Sequence, residues 1–79
     1  MIEHEARNLV IDQLHRFAIQ CDKMAAVLHT HSDLADFNED EHKMIDAIIA
    51  VLRETHRIAR GTSLVMADTT ERQKTAESN

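Results

Sequence analysis

Between Asn38 and Arg60 the chain reads NEDEHKMIDAIIAVLRETHRIAR, and its apolar residues draw two helical stripes rather than one. One stripe is Met44, Ile48, Val51, Thr55 and Ile58; the other is Ile45, Ile49, Leu52, His56 and Ala59. Each advances by alternating steps of three and four, the spacing that keeps residues on one side of a helix. A helix that is apolar over two adjoining stripes needs more than one neighbour. Ala47 and Ala50 lie at the margins, where another helix can come close.

Start and stop signals bound this helix. The Asn38 side chain can accept from free backbone N–H groups of the first turn, and Glu41, three residues on, makes a capping-box pattern. Glu39, Asp40 and Glu41 suit the positive end of the helix dipole, and Glu39–Lys43 is a favourable i,i+4 pair. Arg57 and Arg60 suit the opposite end, and Gly61 can adopt the left-handed conformation that closes a helix. The spacing therefore predicts a helix over about 38–60.

A second long helix is predicted over about 2–30. Val10, Leu14, Phe17, Cys21, Met24 and Leu28 follow a four-three-four-three-four spacing, widened by Ile11, Ala18 and Ala25. Asn8, His15, Asp22 and His29 recur every seven residues on a polar face. Residues 31–37, HSDLADF, form the connector, because Ser32, Asp33 and Asp36 offer side chains that compete with the helical backbone. Leu34 and Phe37 are expected to tuck under it. So short a connector makes the arms, each about 35–40 Å long, antiparallel. Residues 61–66 are read as a short apolar extension carrying Leu64, Val65 and Met66, and 67–79 as a flexible polar tail.

The fold class that follows is all-α: an antiparallel two-helix hairpin dimerising into a four-helix bundle. Aromatic residues are 3% of the 79, with no proline and one glycine, which leaves little with which to build strands and turns. A lone hairpin cannot cover two stripes of one helix, and one cysteine cannot form an internal disulfide staple. A homodimer is therefore expected, with Ile45, Ile48, Ile49, Leu52, His56 and Ala59 at its interface. The single cysteine and the polar, acidic segment MIEHEARN suggest a cytoplasmic protein, and no apolar run approaches a membrane span.

Charge and motifs narrow the function. Asp33, Asp36, Glu39, Asp40, Glu41 and Asp46 gather at the turn, with Lys43 the one opposing charge. Arg53, Arg57 and Arg60 form a ridge that would lie, with Arg7, at the open end and could grip phosphate or carboxylate. Arg53, Arg57, Arg60, Asp36, Glu39 and Asp40 are thus the candidate partner-binding residues. The net charge of −5 disfavours nucleic acid. Six histidines raise the question of metal. Glu39, His42 and Asp46 have helical ligand spacing, and His29, His31 and Asp33 could converge, but acidic helix starts give such spacings by chance. No metal or cofactor is assigned. His15 and His56 at similar heights would make association pH-sensitive. Cys21 reads as a small core residue. There is no phosphate-cradling glycine loop, nucleophile elbow or constrained carboxylate pair, so no catalytic residue is assigned and the chain is expected not to be an enzyme.

In length and hairpin topology, though in no motif, the chain resembles the Rop-type plasmid regulators, dimers of helical hairpins that bind paired RNA loops. That resemblance implies a dimer, and the ridge of Arg53, Arg57 and Arg60 is the feature that would fit RNA. The leading expectation is a small non-enzymatic regulator, adaptor or inhibitor acting on another protein, for which a phage- or plasmid-borne origin would fit. The alternatives are a dimeric RNA- or DNA-binding regulator using the arginine ridge, and a metal- or pH-sensing protein using the histidines.

Overall fold

Asn38 starts a helix through a reciprocal pair of hydrogen bonds. The Glu41 amide donates to Asn38 Oδ1 at 2.8 Å, and the Asn38 amide donates to Glu41 Oε1 at 3.0 Å. This capping box satisfies donors that the first helical turn cannot satisfy itself. In the computed structural model, which describes the backbone of residues 2–78 and the side chains of 3–76, that helix is α2, Glu39–Ser78. It is preceded by α1, Ile2–Leu34. The two pack against each other as an antiparallel hairpin, with no strand among the described residues.

Both helices run past their expected ends. α1 continues through His31, Ser32 and Asp33 to Leu34; Ser32 is buried on the seam against α2, and its Oγ donates to the His29 carbonyl at 3.1 Å. α2 does not stop at Arg60. Gly61 has no positive φ and sits inside the helix, so residues 61–78, expected to be an extension and a tail, are helical. Leu34 does not tuck under the turn; it is 81% exposed. Phe37 lies edge-on to the His42 ring, with centroids 6.0 Å apart.

The helix pairing follows one line on each helix. Every described α1 residue that is not exposed lies on His4, Arg7, Ile11, Leu14, Ala18, Cys21, Ala25, Leu28 and Ser32. Its counterpart on α2 is His42, Ile45, Ile49, Leu52, His56, Ala59, Ser63, Met66 and Thr70. Both keep the alternating three–four spacing of a coiled-coil seam. The most buried residues are small, with Ala25 at 1% exposure, and Ile49 is the one large side chain below a tenth. Small seam residues let two helices approach closely and leave little volume between them.

Polar groups in the seam are paired across it. His56 Nδ1–H donates to the Ala18 carbonyl at 2.7 Å; a carbonyl only accepts, so this nitrogen carries the proton. Ser63 Oγ donates to the Ile11 carbonyl at 3.2 Å, and Arg7 Nε donates to Thr70 Oγ1 at 2.6 Å. Among the described residues no buried side-chain nitrogen or oxygen lacks a partner. These three bonds set the register, with Ala18 level with His56 and Arg7 level with Met66–Thr70. The result is a rod 62 Å long and 16 by 14 Å across its Cα atoms. Its radius of gyration is 17.9 Å, against about 12 Å for a compact domain of this length.

Candidate interaction face

Side chains that would form the core of a globular domain lie outside this hairpin. Val10, Phe17 and Met24 each precede a seam residue of α1 and are about half exposed. The sequence spacing puts them on one wide stripe with Ile11, Ala18 and Ala25; the structure turns Ile11, Ala18 and Ala25 toward α2 and leaves Val10, Phe17 and Met24 outside. On α2 the stripe Met44, Ile48, Val51, Ile58 and Val65 is likewise outside, with Ile48 at 54% and Val51 at 63% exposure.

The two outer stripes form one face. In heptad letters the seams are a and d; Val10, Phe17 and Met24 on α1 and Met44, Ile48, Val51, Ile58 and Val65 on α2 occupy c and g, while exposed Leu9, Ile19 and Leu64 lie at f and b. When two right-handed helices run in opposite directions, their g positions border one another on one flank and their e positions on the other. Val10, Phe17 and Met24 therefore flank the same side of the hairpin as Ile48, Val51 and Ile58. At the observed register Val10 is level with Val65, Phe17 with Ile58 and Met24 with Val51. Shallow grooves lined by Leu9, Val10, Gln13, Leu14 and Phe17, and by Arg57, Ile58, Gly61, Thr62, Val65 and Met66, border this side.

The opposite flank is polar. It carries His15, Asp22 and His29 from α1, and Asp46, Arg53, Arg57 and Arg60 from α2, all exposed. Because α2 continues beyond Gly61, the arginine ridge lies at mid-length and not at the open end, where Arg7 is. Arg57 is engaged by Glu54 through two hydrogen bonds, from Nε at 3.1 Å and from a terminal guanidinium nitrogen. The hydrogen bond from Arg57 holds the Glu54 carboxyl below its ordinary value, and the same bond raises Arg57. Asp36, Glu39 and Asp40 are exposed at the turn, with Glu39 paired to Lys43 at 3.6 Å.

Of the residues expected at a dimer interface, Ile45, Ile49, Leu52, His56 and Ala59 are turned toward α1 within the hairpin, and Ile48 alone is on the open face. His56 pairs with the Ala18 backbone, and His15 is exposed on the polar flank. Among the described residues no three of His, Cys, Asp and Glu are grouped so that they could hold a metal ion, and Cys21 is buried in the seam. No described helix is long and apolar enough to cross a membrane. The sequence shows the Met44–Ile58 stripe but puts the open interface on the Ile45–Ala59 stripe, which the structure turns toward α1; on α1, hydrophobicity alone ranks Phe17 and Met24 above Ala18 and Ala25 as core residues.

Compared with protein-family models, with curated proteins and with solved structures, the chain matches none.

Proposed function

We propose that this protein is a small non-enzymatic regulator or adaptor that works by holding another polypeptide on the open face of its hairpin. The observation that carries the reading is the concentration of large apolar side chains along one flank, where Val10, Phe17, Met24, Ile48, Val51 and Ile58 gather, while the arginine ridge and Asp22 and Asp46 lie on the other beside only Ile19 and Leu64. Apolar surface of this extent is uncommon on a chain that acts alone and is the usual mark of an association surface. The rod has shallow grooves but no deep concavity from which water could be excluded, which favours binding over catalysis. The arginine ridge supports a nucleic-acid role less well. Arg57 is tied to Glu54, and Asp22 and Asp46 share the flank, whereas phosphate binding calls for uncompensated cations.

The test is to cross-link tagged wild-type protein and a Val51→Lys/Ile58→Lys variant under native conditions and compare what each holds. The reading expects a discrete polypeptide adduct with the wild type that the variant loses. Fluorescence anisotropy with RNA hairpins and duplex DNA runs alongside. Tight nucleic-acid binding that falls steeply with salt and disappears in Arg53→Ala/Arg57→Ala/Arg60→Ala, with no face-dependent adduct, would replace this reading by the alternative.

A further inference from the structure

We infer that the occupant of the open face is a second copy of this chain, laid antiparallel to the first across a two-fold axis, so that the large side chains of both hairpins form the core that neither has alone. The inference rests on the reading of that flank as an association surface and names its partner.

Extent is the first argument. The face runs from the Val10–Val65 row, through Phe17–Ile58 and Met24–Val51, to Met44. From Met44 to Val65 is about 30 Å at 1.5 Å per residue, and two adjacent helices are about 20 Å wide. That is roughly 600 Å² in projection, which side-chain relief brings near the ~800 Å² per partner of a stable specific interface. A second hairpin has the matching shape: two ridges of the same length, width and row spacing.

Row composition is the second argument. A two-fold axis perpendicular to the rod, placed midway between the Phe17–Ile58 and Met24–Val51 rows, sets each of these rows against the other in the partner. Because such an axis sets each helix on its own copy, Phe17 meets the flexible methionine Met24, Ile58 meets Val51 and Val65 meets Met44, and unbranched methionine can adapt to the ring or branched side chain opposite it.

Charge gives the orientation. The turn end of the rod carries six carboxylates, from Asp33 to Asp46, against Lys43 alone. A parallel dimer would set two such ends side by side. The antiparallel arrangement separates them and lays each beside the open end of the other hairpin, which is nearer to balance: Arg7, Arg72 and Lys74 stand against Glu3, Glu5, Asp68 and Glu71, with Arg72 and Lys74 paired to Asp68 and Glu71. Like charges brought together oppose association, so the field of the rod selects the antiparallel pair. The arginine ridges then remain on the outer flanks of the dimer.

The experiment is sedimentation equilibrium of the full chain over a wide concentration range, with interference optics because the chain has no Trp or Tyr. The expected result is twice the 9.0 kDa chain mass, with a dissociation constant raised at least 100-fold by Val51→Lys/Ile58→Lys. Should that variant lose its helicity, the wild-type melting midpoint carries the test, since a dimer's midpoint rises with protein concentration and a monomer's does not. Orientation is read by cysteine cross-linking in a Cys21→Ala background. Val65→Cys mixed with Met44→Cys should cross-link between chains, and Val65→Cys should not cross-link to itself. Self-linking of Val65→Cys overturns the antiparallel arrangement, and a dimer indifferent to the face variant overturns the surface. A wild-type chain that stays at 9.0 kDa with a concentration-independent midpoint overturns the second copy. In that case a face-dependent adduct with a different polypeptide leaves the association reading standing, and loss of both removes the reading as well.

Discussion

Replacing Gly61 by alanine discriminates between the two roles a glycine can have at this point of the chain. Here Gly61 lies within α2, its φ is not positive, and a Cβ built on it meets nothing within 4 Å. Alanine can therefore enter without strain or clash. In a helix interior glycine is less favourable than alanine by about 0.8–1.0 kcal/mol, because it has more backbone freedom to lose on folding. No contact is lost in the exchange, so Gly61→Ala should stabilise the protein by nearly that amount. For a domain of this size about 1 kcal/mol moves the melting midpoint by about 4–8 °C. Urea unfolding followed by circular dichroism at 222 nm, at one fixed protein concentration, reads the change as a raised midpoint with an unaltered slope. If Gly61 instead closed the helix in a left-handed conformation, the alanine Cβ would cost about 1–2 kcal/mol. The midpoint would fall, and the continuity of α2 from Glu39 to Ser78 would be refuted.

Other substitutions probe the remaining parts. Asn38→Ala removes the side-chain half of the capping box and should cost about 1 kcal/mol, read in the same urea assay; an unchanged midpoint would mean that the cap is idle. Ala25→Leu places a large side chain at a position 1% exposed between the helices and should destabilise by about 1–3 kcal/mol through overpacking. Gain of stability there would show that the seam is looser than described. Glu54 is held below its ordinary pKa by the hydrogen bond from Arg57, so its contribution is present above the unfolded carboxyl pKa and is lost as pH falls through the lowered folded value. Thermal melts of Glu54→Gln should therefore lie below wild type at pH 7 and converge with it in acid, and a difference that persists unchanged at low pH would sink the assignment.

What could be read from residues alone was what is decided locally. The Asn38–Glu41 box depends on two side chains three residues apart, and it formed as its spacing predicts. The start of α2, the helical content and the antiparallel hairpin follow from such local signals. The end of α2 did not, because a glycine after two arginines is only a local stop signal. The longer-range counter-signal was Ser63, Met66 and Thr70 continuing the seam begun by Ile45, Ile49, Leu52, His56 and Ala59. Those three residues are small, flexible or polar, and a hydrophobic pattern passes over them. The hairpin seam was mistaken for the outer stripe for a related reason. Helices in close contact select Ala18, Cys21 and Ala25, whereas hydrophobicity ranks Phe17 and Met24 first. Moving the arginine ridge to mid-length is a direct consequence, since the longer α2 moves the open end from Arg60 toward Thr70.

The division between the two surfaces has an energetic consequence. Burying a Val, Leu, Ile, Phe or Met side chain contributes about 1.5–3 kcal/mol, and an alanine far less. Within the hairpin most of the deeply buried positions are Ala, Cys, Ser or Thr, and their hydroxyl and imidazole bonds define register more than they supply stability. The seam also partly or fully covers Ile11, Leu14, Leu28, Ile45, Ile49, Leu52 and Met66, and a further apolar reserve lies on Phe17, Met24, Ile48, Val51 and Ile58 outside it. If that face is covered by a partner, as proposed above, its burial adds to the stability of the hairpin and couples the partner to the order of the helices. Removing apolar surface from the open face should then lower helicity more than removing a seam hydrogen bond does. Val51→Ala/Ile58→Ala compared with Ser63→Ala, by circular dichroism at micromolar concentration, tests this order, and a larger loss from Ser63→Ala would place the stability in the hairpin seam instead.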